Sequence, residues 1–391
     1  MIDFKSLADE FGTPLYVYSA EKIREACSVV KGTFEGFEIL PTFAVKANNN
    51  PVLLRVIREE GFGADVVSTG ELKAALMAKI PPDRIVWNGN GKTPSEVSDF
   101  IRVGVGYINV DSVEEMEMWL KIENSSLPRL LLRVNPDVDA RTHPKISTGL
   151  KFHKFGIPLE QIQSLPSGIL SRIKGLHVHI GSQILDPEVF ADAFRPVVRL
   201  CNDLGLEFLN IGGGWGIPYR PQDKAFDLEK YRNSVLPILK EFKGKIILEL
   251  GRYIIGPAGF LLLRVTYVKR TPHKTFVVVD GGMNVLMRPA LYNAYHEVKV
   301  LSPSIKDRTQ VDVVGPLCES GDVIALDREL PIPEPGTLLL VEDVGAYGYS
   351  MSNNYNSATR PAEVLLENGV ARLIRRRESV DDLFSHVVMD E

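Results

Sequence analysis

Between residues 39 and 250 short apolar runs alternate with helical stretches, and this alternation constrains the fold more than any other feature of the chain. Eight runs read as strands: Ile39–Lys46, Ala64–Val67, Arg84–Trp87, Tyr107–Val110, Arg129–Val134, Lys174–Ile180, Glu207–Ile211 and Lys245–Leu250. Periodic segments lie between them, including Glu71–Ile80, Pro94–Val103, Val113–Lys121, Pro187–Leu204 and Leu228–Phe242. Strands joined by crossover helices pair in parallel, and eight such units close into a (β/α)8 barrel rather than an open sheet. Residues 136–172, rich in Thr, His, Lys and Gly, form a long insertion after the fifth strand.

After about residue 260 the pattern changes. Leu261–Val268, Thr275–Val279, Glu297–Leu301, Gln310–Val314, Asp322–Leu326, Gly336–Val341 and Ala362–Leu366 read as strands punctuated by Gly, Pro and Asp. Asn368-Gly369 is a hairpin signal. These features predict a mainly antiparallel β domain, sandwich- or barrel-like. The short run Pro14–Tyr18 is expected to join it. The expected division is a barrel at 23–260 and a discontinuous β domain at 1–22 and 261–391.

Composition removes several classes of function. The net charge of −5 and the absence of a basic block argue against nucleic-acid binding. No apolar run approaches the ~20 residues of a membrane helix, and Met1-Ile2-Asp3-Phe4-Lys5 shows no secretory signal. Cys27, Cys201 and Cys318 are far apart, which fits a reducing cytoplasm better than a disulfide framework.

Barrel active sites lie at the C-terminal ends of the strands. Here those ends carry Lys46, Asp65, Asn88, Asp111, Arg133 with Asn135, His179, Gly212-Gly213-Gly214, and Glu249. A lysine held against apolar strand residues is desolvated, which favours a neutral amine able to attack a carbonyl as a Schiff base. A glycine loop after the seventh strand lets backbone N–H groups cradle a phosphate. His177 and His179 share a strand face, as an H-x-H metal pair would. The other histidines, His143, His153, His273, His296 and His386, are not at strand ends, so no metal is expected. His177 reads as a hydrogen-bonded core residue, whereas His179 is placed to lie flat on a planar ring. Glu249 is placed to keep a pyridine nitrogen protonated, and Arg252 to bind a phosphate or carboxylate. A structural Glu249–Arg252 pair is the competing reading. Taken together, lysine, stacking histidine, glycine loop and carboxylate describe a site for pyridoxal 5′-phosphate.

Several segments, in order, match one family. They are Phe43-Ala44-Val45-Lys46-Ala47-Asn48, Gly63-Ala64-Asp65-Val66-Val67-Ser68, Ile146-Ser147-Thr148-Gly149, Lys154-Phe155-Gly156 and Gly175-Leu176-His177-Val178-His179-Ile180-Gly181-Ser182-Gln183. Further matches are Gly251-Arg252-Tyr253, Arg288-Pro289-Ala290-Leu291-Tyr292, Gly315-Pro316-Leu317-Cys318-Glu319-Ser320-Gly321-Asp322 and Gly345-Ala346-Tyr347. Over essentially its whole length the chain resembles the fold-type III pyridoxal-phosphate decarboxylases. One departure is Leu250, where the family commonly has proline.

The resemblance implies that Lys46 holds the cofactor, His179 stacks on its ring and Glu249 pairs with its nitrogen. It implies that Asp65, Ser182, Gly212, Gly213, Gly214, Arg252 and Tyr347 surround the cofactor. Cys318 and Glu319 would reach the site from the partner subunit of a homodimer. Arg288 and Tyr292, with Arg252, would clamp a distal carboxylate of the substrate, and Glu319 would face its distal ammonium. A buried guanidinium needs an anionic partner, so such a clamp would be idle with ornithine. The implied reaction is decarboxylation of meso-2,6-diaminopimelate to L-lysine and CO2. Ornithine, arginine or a polyamine precursor is the alternative substrate.

Overall fold

The computed structural model describes residues 2–122, 127–140, 142, 148–149, 154–301 and 307–389. Met1–Ile23, Tyr219–Asp223 and Ile255–Glu391 form one compact unit, and Arg24–Pro218 with Lys224–Ile254 form the other. Among the described residues no helix is long and apolar enough to cross a membrane.

Strand β1 (Leu15–Ser19) belongs to the first unit. The barrel unit begins with β2 (Ile39–Ala44) and continues through β3 (Gly63–Val66), β4 (Ile85–Trp87), β5 (Tyr107–Val110) and β6 (Arg129–Asn135). The short β7 (Ile157–Pro158) follows, then β8 (Ile173–Val178), β9 (Phe208–Asn210) and β10 (Lys245–Leu250). All pair in parallel in the order β5-β4-β3-β2-β10-β9-β8-β6, and β5–β6 pairing closes the ring, with β7 attached outside it on β6. The expected eight-stranded barrel is therefore present.

Side-chain caps start several of the helices that follow barrel strands. Asn50 accepts from the Val52 N–H at 3.0 Å and Pro51 occupies the first helical position of Pro51–Glu59. Ser68 and Ser112 cap Thr69–Met77 and Val113–Leu120 through the N–H groups of Glu71 and Glu115. Thr93 and Glu96 form a capping box at Pro94–Val103. The helix expected over Leu228–Phe242 is instead two, Leu228–Ser234 and Leu236–Leu239. Pro237 has no N–H to continue the first helix, so it sits in the first turn of the second.

Inside the ring, Leu40, Val86, Tyr107, Leu131 and Ile247 form one buried apolar cluster, with Phe208 packed against it. Burying a residue of this size contributes about 1.5–3 kcal/mol. Two residues further along each strand the same face is polar: Asn88, Asn109, Arg133, Asn210 and Glu249. The apolar layer thus supports a polar layer nearer the C-terminal strand ends.

The other unit holds β1 and eight strands after the barrel: β11 (Gly259–Arg270), β12 (Thr275–Val279), β13 (Val298–Val300), β14 (Arg308–Val314), β15 (Val323–Pro331), β16 (Leu338–Val341), β17 (Ala362–Glu367) and β18 (Val370–Arg375). They form one branched sheet in which β1 lies between β11 and β17. Most pairings are antiparallel, as expected, but β1–β17 and β12–β14 are parallel. Both parallel pairs join strands that are not consecutive in the chain, so no tight hairpin dictates their direction. Asn368 and Gly369 both have positive φ, 52° and 78°, and join β17 to β18 as the expected hairpin.

Candidate active site

Lys46 lies not on a strand but in a single 3₁₀ turn, Val45–Ala47, that follows β2. Its side chain is 41% exposed and its Nζ is 3.2 Å from Asp65 Oδ2. The expectation of an amine desolvated against apolar residues is therefore corrected: the turn lifts Lys46 clear of the strand's packing, and a carboxylate faces it. Asp65, on β3, is fully buried. Burial raises its pKa, the Lys46 charge opposes that, and the Glu249 charge adds to it. Asn88 donates to its other oxygen.

Glu249 is the centre of the polar layer. Its Oε1 accepts from three side-chain amides, Asn88 at 2.9 Å, Asn109 at 2.8 Å and Asn210 at 2.6 Å. Its Oε2 lies 3.3 Å from His177 Nε2, within ion-pair range but off hydrogen-bond alignment. Burial alone would raise the pKa of Glu249. The His177 ring, the Lys46 amine and the Asn88 amide overcome it and hold the carboxyl below the usual carboxylate range. Glu249 is thus an anion with one oxygen saturated by neutral donors. Arg252 Nη2 donates to Ser182 Oγ at 3.1 Å.

The strand ends named from the sequence do not include Asn109 and Asn210, and His177, expected in the core, lies beside Glu249. Their signal was available: each asparagine stands two residues after an inward apolar residue, Tyr107 or Phe208, and so points to the same interior.

His179 follows β8. Its Nδ1 accepts from the Gly213 N–H at 3.3 Å, which requires an unprotonated Nδ1. Burial lowers its pKa well below the usual histidine value, and the charges of Lys46 and Arg133 lower it further. The ring is therefore neutral. Thr148 Oγ1 donates to the His179 carbonyl at 2.8 Å, which ties the matched Thr148-Gly149 pair to this strand end. Ile146, Ser147, His143 and His153 lie outside the described residues.

The glycine loop is glycine because backbone crowds it on both sides. A Cβ on Gly213 would lie 2.1 Å from the Glu249 carbonyl oxygen, and one on Gly212 would lie 2.7 Å from that of Val178. Gly212 and Gly214 have φ of 62° and 109°. Asn210 Oδ1 accepts from the Gly212 N–H at 2.9 Å, so the amide that serves Glu249 also shapes the loop. Gly213→Ala is expected to destabilise the protein by about 1–3 kcal/mol, the usual cost of overpacking. Urea unfolding followed by circular dichroism measures it, and an unchanged midpoint would show that the loop can yield.

A family described as "Pyridoxal-dependent decarboxylase, pyridoxal binding domain" matches residues 20–256, which spans the barrel strands. The curated diaminopimelate decarboxylase of Aquifex aeolicus is 43% identical over 97% of this chain and 93% of its own length. The chain belongs to the diaminopimelate decarboxylase family. Among solved structures, the Helicobacter pylori diaminopimelate decarboxylase complexed with L-lysine superposes with a TM-score of 0.90 at 37% identity, covering 98% of each chain. The M. jannaschii diaminopimelate decarboxylase in co-complex with L-lysine has a TM-score of 0.91 at 36% identity, covering 99% of this chain and 95% of its own.

The cofactor of this decarboxylase family is pyridoxal 5′-phosphate, and the barrel residues fit it. One ring of strand ends presents an exposed primary amine, a neutral imidazole, a glycine loop that no side chain could replace, and a carboxylate kept ionised. Ser182 and Arg252 stand hydrogen-bonded to each other after β8 and β10.

The remaining family-matched residues belong to the other unit. Arg288 and Tyr292 begin and end the helical turn Arg288–Tyr292, with Pro289 in its first turn. Cys318 is an exposed free thiol whose N–H donates to Asn356 Oδ1 at 2.8 Å. Its loop is pinned by Asp322, whose carboxylate accepts from the N–H groups of Leu317 at 2.7 Å and Met283 at 2.6 Å. Glu319 Oε1 accepts from Gly321 N–H at 3.2 Å within the same loop. Tyr347 has φ of 58°, a strained value for a tyrosine.

Proposed function

We propose that this chain decarboxylates meso-2,6-diaminopimelate to L-lysine and CO2, the last step of lysine biosynthesis, as a cytoplasmic homodimer with shared active sites. The observation that carries the reading is the near-full-length identity to diaminopimelate decarboxylases joined to an intact barrel site. When bound, pyridoxal phosphate accepts the electron pair released as the bond to CO2 breaks.

The protein's own residues bind, orient and move protons. The Lys46 primary amine would hold the cofactor through its carbonyl group. Asp65, 3.2 Å from Nζ, keeps that amine oriented at the end of β2. Neutral His179 offers a ring face without a charge that would repel a cationic pyridine. Glu249, held as an anion, would keep the cofactor's ring nitrogen protonated. Ser182, Gly212 to Gly214, Arg252 and Tyr347 serve the phosphate and its surroundings. Arg288, Tyr292 and Arg252 take the substrate's distal carboxylate, and Glu319 its distal ammonium. Cys318, from the partner subunit, delivers the proton to the carbon that loses CO2.

The direct test is release of CO2 and lysine from meso-diaminopimelate with added pyridoxal phosphate, with ornithine as competing substrate. Preference for ornithine would transfer the chain to the sister decarboxylases. The shared site has its own test. Inactive Lys46→Ala mixed with inactive Cys318→Ala should regain about a quarter of wild-type activity, because half of randomly exchanged dimers carry one intact site. No recovery after demonstrated subunit exchange would remove Cys318 from the partner's site.

A further inference from the structure

His296 is fully buried, and its two ring nitrogens have different partners. Nδ1 is 2.9 Å from the Glu342 carbonyl oxygen, and Nε2 is 2.7 Å from Arg288 Nη1. A carbonyl oxygen only accepts and a guanidinium only donates. One state of the imidazole satisfies both: neutral, with its proton on Nδ1 and its lone pair on Nε2. Tyr219 completes the group. Its ring meets His296 edge-on with centroids 5.2 Å apart, and the Arg288 guanidinium carbon is 4.5 Å from its centroid. The local chain path explains the meeting. Asn293, at φ 55°, ends the helical turn that Arg288 begins and sends the chain back towards it.

We propose that His296 is a positioning residue for substrate specificity: it orients Arg288 for the substrate's distal carboxylate without neutralising it. The inference rests on the reading of Arg288 as part of the carboxylate clamp. A carboxylate in the place of His296 would orient the guanidinium equally well, but it would compete with the substrate for the same charge. A neutral acceptor takes one of the five guanidinium N–H donors and adds no opposing charge of its own. Tyr219 restricts the guanidinium further through its ring face. Ordering Arg288 in advance removes part of the entropic cost of binding.

The test uses holoenzyme, two substitutions and two inhibitors. L-Lysine retains the distal carboxylate of diaminopimelate, and cadaverine carries no carboxylate. His296→Asn keeps a donor near Glu342 but withdraws the acceptor from Arg288, whereas His296→Gln returns an amide oxygen towards Arg288. His296→Asn is expected to raise KM for meso-diaminopimelate and weaken inhibition by L-lysine about tenfold, the scale of one hydrogen bond to a charged group. Its kcat and its inhibition by cadaverine should stay near wild type, and His296→Gln should recover most of the loss. Equal weakening of both inhibitors, or a fall in kcat and thermal midpoint in both variants, assigns His296 to packing and overturns the proposal. Arg288→Met separates the two claims. If it weakens L-lysine but His296→Asn does not, the positioning role alone fails. If Arg288→Met leaves L-lysine inhibition unchanged, the clamp itself fails.

Discussion

Lys46→Arg should abolish turnover, by at least about a thousandfold, on the scale of losing a nucleophile. Arginine keeps a cation beside Asp65, so the buried carboxylate retains a partner and the fold should stand. A guanidinium stays protonated and offers no primary amine to a carbonyl. The loss therefore isolates the amine's chemistry from its ion pair. Two measurements check this: lysine formation from meso-diaminopimelate, and reductive trapping of pyridoxal phosphate on the protein with borohydride. The variant should give neither, while its circular dichroism stays that of the wild type. Trapping at wild-type level in Lys46→Arg would mean that another lysine carries the cofactor.

Glu249→Gln should lower kcat by roughly 10²–10³, the range seen when a preorganised electrostatic partner is removed. The substitution is nearly isosteric. Its amide oxygen can keep the three asparagine donors that now converge on Oε1 at 2.6–2.9 Å. What it loses is the negative charge on the second oxygen, which the proposed mechanism uses to hold the ring-nitrogen proton. Cofactor absorbance should remain, because Lys46 and the glycine loop are intact. A variant with bound cofactor and nearly unchanged kcat would remove Glu249 from the mechanism. A variant that binds no cofactor would make Glu249 an anchoring group instead.

These two predictions depend on the sequence to different degrees. Lys46 stands out at the end of an apolar run, and its place just after the first barrel strand follows from counting runs. Its surroundings did not follow, because the 3₁₀ turn at Val45–Ala47 lifts it out of the strand's packing. Glu249 also stood out at a strand end. That it is an anion, rather than a buried acid with a raised pKa, depends on the His177 ring, the Lys46 charge and the Asn88 amide, the last two 203 and 161 residues away in the chain. Likewise Leu228–Phe242 kept its apolar spacing across a break, since periodicity does not register the N–H that Pro237 lacks.

The sequence by itself determined the barrel, the β domain, and the chemical types at the strand ends. Period-two and period-3.6 patterns are local, and strand ends carry function in any barrel of this kind. Only the tertiary structure decided which of those groups meet. Ring closure between β5 and β6 brings four strands' polar residues onto one carboxylate. The return of the chain at Asn293 sets a neutral histidine against Arg288. Protonation states, tautomers and charge pairing depend on such non-local distances, and the spacing of residues along the chain does not encode them.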